Sequence, residues 1–152
     1  MVCYLPLTNA YNPLRFLFKL GEHDRVYSDA DLNTIASHFA KSDVVCFSSM
    51  TAYSDLTKDI IQLTKKINPK TYIIWGGIHP IVHPEDAIKF PDAICVGEGE
   101  TAFKLFLSSF KEEGDYTSTK NFWFNHNGKI IRNDFLPLHT SEEMDQFPFL
   151  LY

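Results

Sequence analysis

The chain has 152 residues, 45% hydrophobic and 22% charged, enough for one domain with a real core. Its net charge of −5 argues against nucleic acid as the main partner. There is no apolar run of the roughly 18 residues a membrane helix needs and no signal-peptide pattern, so no membrane partner is expected and the cytoplasm is the expected location. Thirteen phenylalanines and seven tyrosines predict an aromatic-rich core or interface.

In chain order, Val2–Leu7 reads as a strand, Leu14–Leu20 as a short helix ended by Gly21, and Arg25–Tyr27 as a brief strand. Asp31–Lys41 places Leu32, Ile35, Ala36 and Phe39 on one helical face, with Ser28 or Asp29 as cap. Val44–Phe47 is a continuous apolar run, the pattern of a strand covered on both faces. Ser48-Ser49-Met50-Thr51 is a polar turn. Asp55–Ile67 is the clearest helix, with the stripe Leu56, Ile60, Leu63 and Ile67, a cap at Ser54, and Pro69 beyond its end. A strand over Tyr72–Trp75 follows. Pro84 and the acids Glu85 and Asp86 open another helix. Ala93–Val96 is a strand. Thr101–Glu113 is a helix with Ala102, Leu105, Phe106 and Phe110 inward, stopped by Gly114. Phe122-Trp123-Phe124 and Lys129–Arg132 flank Asn127-Gly128, a β-hairpin signature. Its aromatic strand is expected either to pack on the last helix or to form a lid or docking face. Leu136–Tyr152 has no periodicity and reads as a solvated linker, Glu143 and Asp145 included.

Strands alternating with helices at this spacing predict an α/β, flavodoxin-like doubly wound parallel sheet with helices on both faces, plus the C-terminal hairpin. The expected organisation is a domain over 1–118, a hairpin extension over 119–135, and a linker over 136–152 toward an absent catalytic domain.

Four of the seven glycines fall in two turns, Gly76-Gly77 and Gly97-Glu98-Gly99-Glu100. Together with Ser48-Ser49-Met50, these turns follow three consecutive strands at their carboxyl ends, so they are expected to line one rim. Ligands bind there in open parallel sheets. Bare backbone in such turns permits close approach by something large. Cys3, Cys46 and Cys95 are far apart, lack the spacing of zinc or iron–sulfur ligands, and read as buried reduced thiols. His79 and His83 have the four-residue spacing of a helical metal pair, but Pro80 and Pro84 break the helix that spacing requires. His79 is read instead as lining the rim or capping a turn. Glu98 and Glu100 have the chemistry of acid–base groups, although carboxylates just before a helix ordinarily serve its dipole. No serine–histidine–acid set can be argued from spacing.

Taken as a series, Asp43–Thr51, Ile67-Asn68-Pro69, Trp75-Gly76-Gly77-Ile78-His79-Pro80, Pro84-Glu85, Val96–Glu100, Asn127–Ile130, Arg132-Asn133 and Phe147-Pro148 resemble the cobalamin-binding domain that precedes the radical S-adenosylmethionine core in cobalamin-dependent radical enzymes. The resemblance covers most of the chain from about Asp43. It implies a cofactor-binding set of Ser48, Ser49, Met50, Thr51, Gly76, Gly77, His79, Pro80, Gly97, Glu98, Gly99 and Glu100. By the family's logic a serine hydroxyl of Ser48-Ser49-Met50 bonds the dimethylbenzimidazole of the nucleotide tail, and the glycines let that tail lie against the sheet. Many cobalamin domains carry Asp-x-His-x-x-Gly after the first strand, the histidine serving as lower cobalt ligand. Here the stretch is Thr8-Asn9-Ala10-Tyr11-Asn12-Pro13, so the resemblance implies cobalamin with no protein ligand from that loop.

The reading that follows is a cobalamin-binding module that has no catalytic residues of its own. In the full-length protein its partner would be a C-terminal radical core with S-adenosylmethionine and a 4Fe-4S cluster, doing methyl transfer or related radical chemistry. The alternative is a vestigial docking or dimerisation domain that binds no corrin, and a homodimer is compatible with it. A flavin carrier fits less well, because Thr8-Asn9-Ala10-Tyr11 is a poor phosphate loop.

Overall fold

The computed structural model describes residues 27–147, except Glu113 and Asn127. The expected strand Val2–Leu7, helix Leu14–Leu20, most of the strand Arg25–Tyr27, Cys3, the Thr8–Pro13 stretch and the close of the chain from Pro148 lie outside the described residues.

Five strands form one mixed sheet in chain order: β1 Val44–Ser48, β2 Tyr72–Gly76, β3 Ala93–Cys95, β4 Phe122–His126 and β5 Lys129–Arg132. The first three run parallel, with Val44 opposite Tyr72 and Ser48 opposite Gly76. Of the hairpin strands, β4 then adds antiparallel to β3, and β5 antiparallel to β4. The predicted hairpin therefore continues the sheet, since β3 offers an open edge to it.

Helices cover both faces. On one face α1 (Asp29–Phe39) packs against α2 (Ser54–Ile67), and the short helices α3 (Ile78–Val82) and α4 (Pro84–Ala87) follow β2. Ile61, Ile73, Trp75, Ala87, Ile88, Ile94 and Val96 form that core. On the other face α5 (Gly99–Lys111) buries Ala102 and Phe106 against Ile74, Ala93, Cys95, Phe122 and Phe124. Phe106 stacks on Phe122 at 5.3 Å and on Phe110 at 5.2 Å, so the aromatic composition is spent in this layer. The hairpin's aromatic strand thus takes the packing role, while half-buried Trp123 on the opposite face lies under the Arg132 guanidinium, 5.0 Å from its ring centre.

Local chemistry explains the element ends. Ser28 caps α1 in a capping box with Asp31. The expected cap at Ser54 is a correction: Ser54 is itself the first helical residue and is buried, and a 3₁₀ turn over Thr51–Tyr53 leads straight into α2. The stripe on α2 also shifts. Thr57, Ile60, Ile61 and Thr64 are buried while Ile67 is exposed; the buried threonines are tolerated because their hydroxyls donate to the Tyr53 and Ile60 carbonyls within the helix. On α5 Leu105 is 49% exposed and points away from the sheet, one position from the buried Phe106. Nor is β1 covered on both faces: Cys46 is exposed, contrary to the buried thiol expected of it, whereas Cys95 is buried in the middle of the sheet.

Candidate functional site

The parallel register brings the three turns after β1, β2 and β3 to one rim, as the sequence predicted. Alternation along the strands decides which side chains share a face. Val44, Tyr72, Ile74 and Cys95 belong to the α5 side of the sheet, so Cys46, Ser48 and Gly76 do too. Ser48 stands opposite Gly76. A Cβ on Gly76 would lie 3.7 Å from the Cys95 Cβ, and one on Gly99 would lie 3.9 Å from the Cys95 sulfur. Ser48, Gly76, Cys95 and Gly99 therefore form a continuous shelf of small groups running from the sheet's end to the start of α5. At its outer end the exposed Ser48 hydroxyl has no hydrogen-bond partner among the described residues.

The neighbouring serine is occupied. The Trp75 indole N–H donates to Ser49 Oγ at 2.8 Å, and the Thr57 hydroxyl lies 3.1 Å from the same oxygen. Ser49 N–H donates to the Gly76 carbonyl and Ser49 C=O accepts from His79 N–H. Gly77 closes this junction. Its φ is +90°, and a Cβ there would meet Ser49 N at 2.7 Å and Ser48 Oγ at 3.0 Å. The close approach that Gly77 permits is thus made by the protein's own β1 turn.

His79 and Pro80 turn inward from the same junction and are buried. The His79 ring stacks on Trp75 at 5.0 Å. Its Nε2 is 3.4 Å from Asp86 Oδ2 without hydrogen-bond alignment, so neither ring nitrogen has a bond partner among the described residues. The Lys58 ammonium on Asp86, 2.6 Å away, holds that carboxyl below the usual range, and Asp86 in turn raises Lys58. His83 is exposed, its ring 5.4 Å from that of His79, and no cluster of three or more metal-ligating side chains occurs among the described residues. Met50 is 59% exposed on the rim, and Ile78, Ile81 and Val82 of α3 are also exposed, so the outer lip of this turn is apolar. Thr51 is exposed at the start of the 3₁₀ turn.

At the third turn, helix α5 begins at Gly99, two residues earlier than the sequence suggested, so Gly99 and the exposed Glu100 are helical. Gly97 is filled from within: a Cβ there would meet Asn121 Cγ at 2.8 Å. Asn121, held at φ +64°, donates to the Glu98 carbonyl and accepts from Leu136 N–H. Glu98 does not cap the helix through its side chain. Its carboxylate accepts from His139 N–H at 3.2 Å and from His139 Nδ1 at 2.6 Å, while His139 Nε2 is 2.8 Å from Thr101 Oγ1. These bonds hold the Glu98 carboxyl below its ordinary range. A carboxylate–imidazole–hydroxyl line therefore does form, from residues 38 and 41 positions apart, which no local spacing signals. Phe147 sits edge-on against the His139 ring at 5.0 Å, and Thr140 and Glu143 form a capping box on α6 (Ser141–Met144). The segment is thus fastened at Leu136, His139 and Phe147, while Leu138 and Met144 stay exposed, and Glu143 is engaged by its own helix.

Away from the rim, an open groove of about 450 Å³ runs between α1 and α2, lined by polar and charged groups such as Asn33, Gln62 and Lys66. No helix of the described residues is long and apolar enough to cross a membrane.

This arrangement defines a doubly wound α/β domain, and in such open parallel sheets ligands bind at the carboxyl rim of the strands. The B12 binding domain family matches residues 21–107, more than half of the chain, and the chain belongs to that family. No curated protein matches the sequence. Two similar solved structures are of the radical S-adenosylmethionine methyltransferase TsrM from Kitasatospora setae. One, with tryptophan substrate and a SAM analogue (aza-SAM) bound, is 14% identical with a TM-score of 0.58, over 70% of this chain and 22% of that one. The other, with cobalamin and a [4Fe-4S] cluster bound, is 15% identical with a TM-score of 0.57, over 76% of this chain and 23% of that one. At this identity the likeness is one of fold, and the chain spans less than a quarter of either methyltransferase.

Proposed function

We propose that this chain is the cobalamin-binding module of a radical S-adenosylmethionine enzyme, and that the nucleotide tail of the cofactor lies on the shelf from Ser48 to Gly99. The observation that carries this reading is the in-register pairing of an unbonded serine hydroxyl with Gly76, continued by Cys95 and Gly99. The residues fit the group. A long flat tail needs missing side chains, and the Gly76 position supplies that space: its Cβ would meet nothing closer than ordinary contact distance. Ser48 is the polar anchor, because Ser49 is already committed to Trp75. The exposed Met50 and Ile78 side chains would offer bound cobalamin an apolar lip. Gly77, His79 and Pro80 act indirectly, by fixing the turn that presents Ser48. Gly97 and Glu98 shape the far wall through Asn121 and His139, while Thr51 and Glu100 border the rim.

Bound cobalamin would supply a cobalt centre able to carry a methyl group. No histidine occurs in Thr8–Pro13, so no imidazole from that stretch is available as a lower ligand. In this reading S-adenosylmethionine, the iron–sulfur cluster and the radical chemistry would belong to a further domain of a full-length protein; the three cysteines of this chain lack the spacing of a cluster-binding set.

The test is to add hydroxocobalamin to the purified chain and record the visible spectrum after desalting. A shifted spectrum that survives desalting, and is lost in Gly76→Leu while the fold is kept by circular dichroism, is the expected result. A spectrum identical to that of free cobalamin overturns the reading. It would favour a docking or dimerisation domain, for which the one supporting observation is that Asn121 already fills the space at Gly97.

A further inference from the structure

We infer that the segment from Asp134 to Phe147 is a strap whose clasp, His139, sets how tightly the shelf holds its ligand; this rests on the cobalamin reading above. The shelf has two walls. One is the bonded β1–β2 turn pair. The other is the first turn of α5, where Gly99 meets Cys95. That first turn is buried on its inner side at Ala102, and its own first-turn carboxylates are not used as caps. Its polar ties come from Asn121, which donates to the Glu98 carbonyl, and from the tail.

The strap is attached in sequence. The Asp134 carbonyl accepts from Asn121 N–H at 2.9 Å, and Leu136 N–H donates to Asn121 Oδ1 at 2.7 Å. His139 then joins both sides of the turn, bonding Glu98 through its backbone N–H and Nδ1, and Thr101 through Nε2. A neutral imidazole protonated on Nδ1 satisfies both side-chain contacts, donating to Glu98 and accepting from the Thr101 hydroxyl. The ring is largely buried, with Phe147 edge-on against it and the Lys104 ammonium 5.7 Å over Phe147. Residues at both ends of the first turn of α5 are thereby held by one side chain, 38 and 41 positions downstream of them. Because Gly99 lies between Glu98 and Thr101, opening the clasp frees the wall that faces Cys95 and Gly76. His139 is a positioning residue in this scheme and touches no ligand.

The experiment compares wild type, His139→Ala, His139→Asn and Arg132→Ala. The last breaks the Glu85 ion pair, which lies with Trp123 on the face of the sheet away from α5, and serves as a stability control. Cobalamin release is followed by stopped-flow absorbance against an excess of apo competitor, and amide hydrogen exchange is read by mass spectrometry on the same proteins without cobalamin. His139→Ala is expected to release cobalamin about tenfold faster and to speed exchange over residues 97–103. His139→Asn, which keeps a donor toward Glu98, is expected to recover part of both effects, and Arg132→Ala to change neither. If His139→Ala fails to fold, Thr101→Val removes the other contact of the clasp and takes its place in both measurements. Wild-type binding with an unchanged release rate, or unchanged exchange over 97–103, overturns the strap alone. Absence of any wild-type binding overturns the cobalamin reading and the strap's role with it.

Discussion

The indole N–H of Trp75 donates to the hydroxyl of Ser49 across 2.8 Å, joining the ends of two parallel strands by a side-chain bond. Trp75 is fully buried, so that hydrogen bond is protected from water, and it removes Ser49 from the set of groups free to meet a ligand. The adjacent Ser48 is left as the exposed hydroxyl. Two serines that look equivalent in the sequence thus acquire separate tasks, one internal and one outward.

Substituting them separately tests this division. Ser49→Ala leaves a buried indole N–H without its acceptor and is expected to cost about 1–3 kcal/mol of stability, read as a lower urea midpoint. Ser48→Ala is expected to leave the midpoint within about 0.5 kcal/mol of wild type and to weaken cobalamin retention. Equal effects of the two variants on stability would contradict the assignment.

Gly77 is the residue on which the rim's geometry turns most sharply. At φ +90° any side chain is strained, and the contact at 2.7 Å is with backbone, which has no flexible end to swing away. Gly77→Ala is expected to destabilise by more than about 1 kcal/mol, whereas Gly128→Ala, at φ +82° with open space around it, carries the backbone strain without the clash. Chemical denaturation of the two variants side by side should rank Gly77→Ala as the more damaging.

The aromatic layer predicts a contrast between adjacent residues of α5. Phe106 is fully buried among Phe110, Phe122 and Phe124, and Phe106→Ala is expected to cost about 3–5 kcal/mol. Leu105→Ala, on the exposed side, is expected to change stability by no more than about 0.5 kcal/mol. Thermal unfolding distinguishes these outcomes directly.

Acid should weaken the clasp by a predictable route. The folded state lowers the Glu98 pKa through the His139 backbone and side-chain bonds. A lowered carboxyl contributes stability that is complete above its unfolded value, about 4.3, and is lost as pH falls through its lower folded value. Asp86, lowered chiefly by Lys58, acts in the same direction. Glu98→Gln is therefore expected to flatten part of the loss of stability on acidification below about pH 4.3. An unchanged acid limb in equilibrium unfolding would show that the His139 bonds do not stabilise the ionised form.

Much of this molecule was legible in the sequence because its signals are local. Apolar runs of strand length, helical stripes and capping residues gave the alternation of elements, and Gly76-Gly77 marked a turn without side chains. Parallel order then followed from connection lengths, and with it the common rim. What the sequence did not carry was which faces those elements turn to one another. The sheet-facing residues of α2 include Thr57 and Thr64, whose hydroxyls are satisfied inside the helix and so do not announce burial. Gly97 looked like open backbone and is occupied by Asn121, 24 positions on. The tail looked like a free linker and is fastened by His139 to Glu98. The last two depend on contacts between groups distant in the chain, whose partners meet only once the sheet has assembled. Local periodicity determined the architecture; long-range pairing decided which glycine, which serine and which carboxylate remain available at the rim.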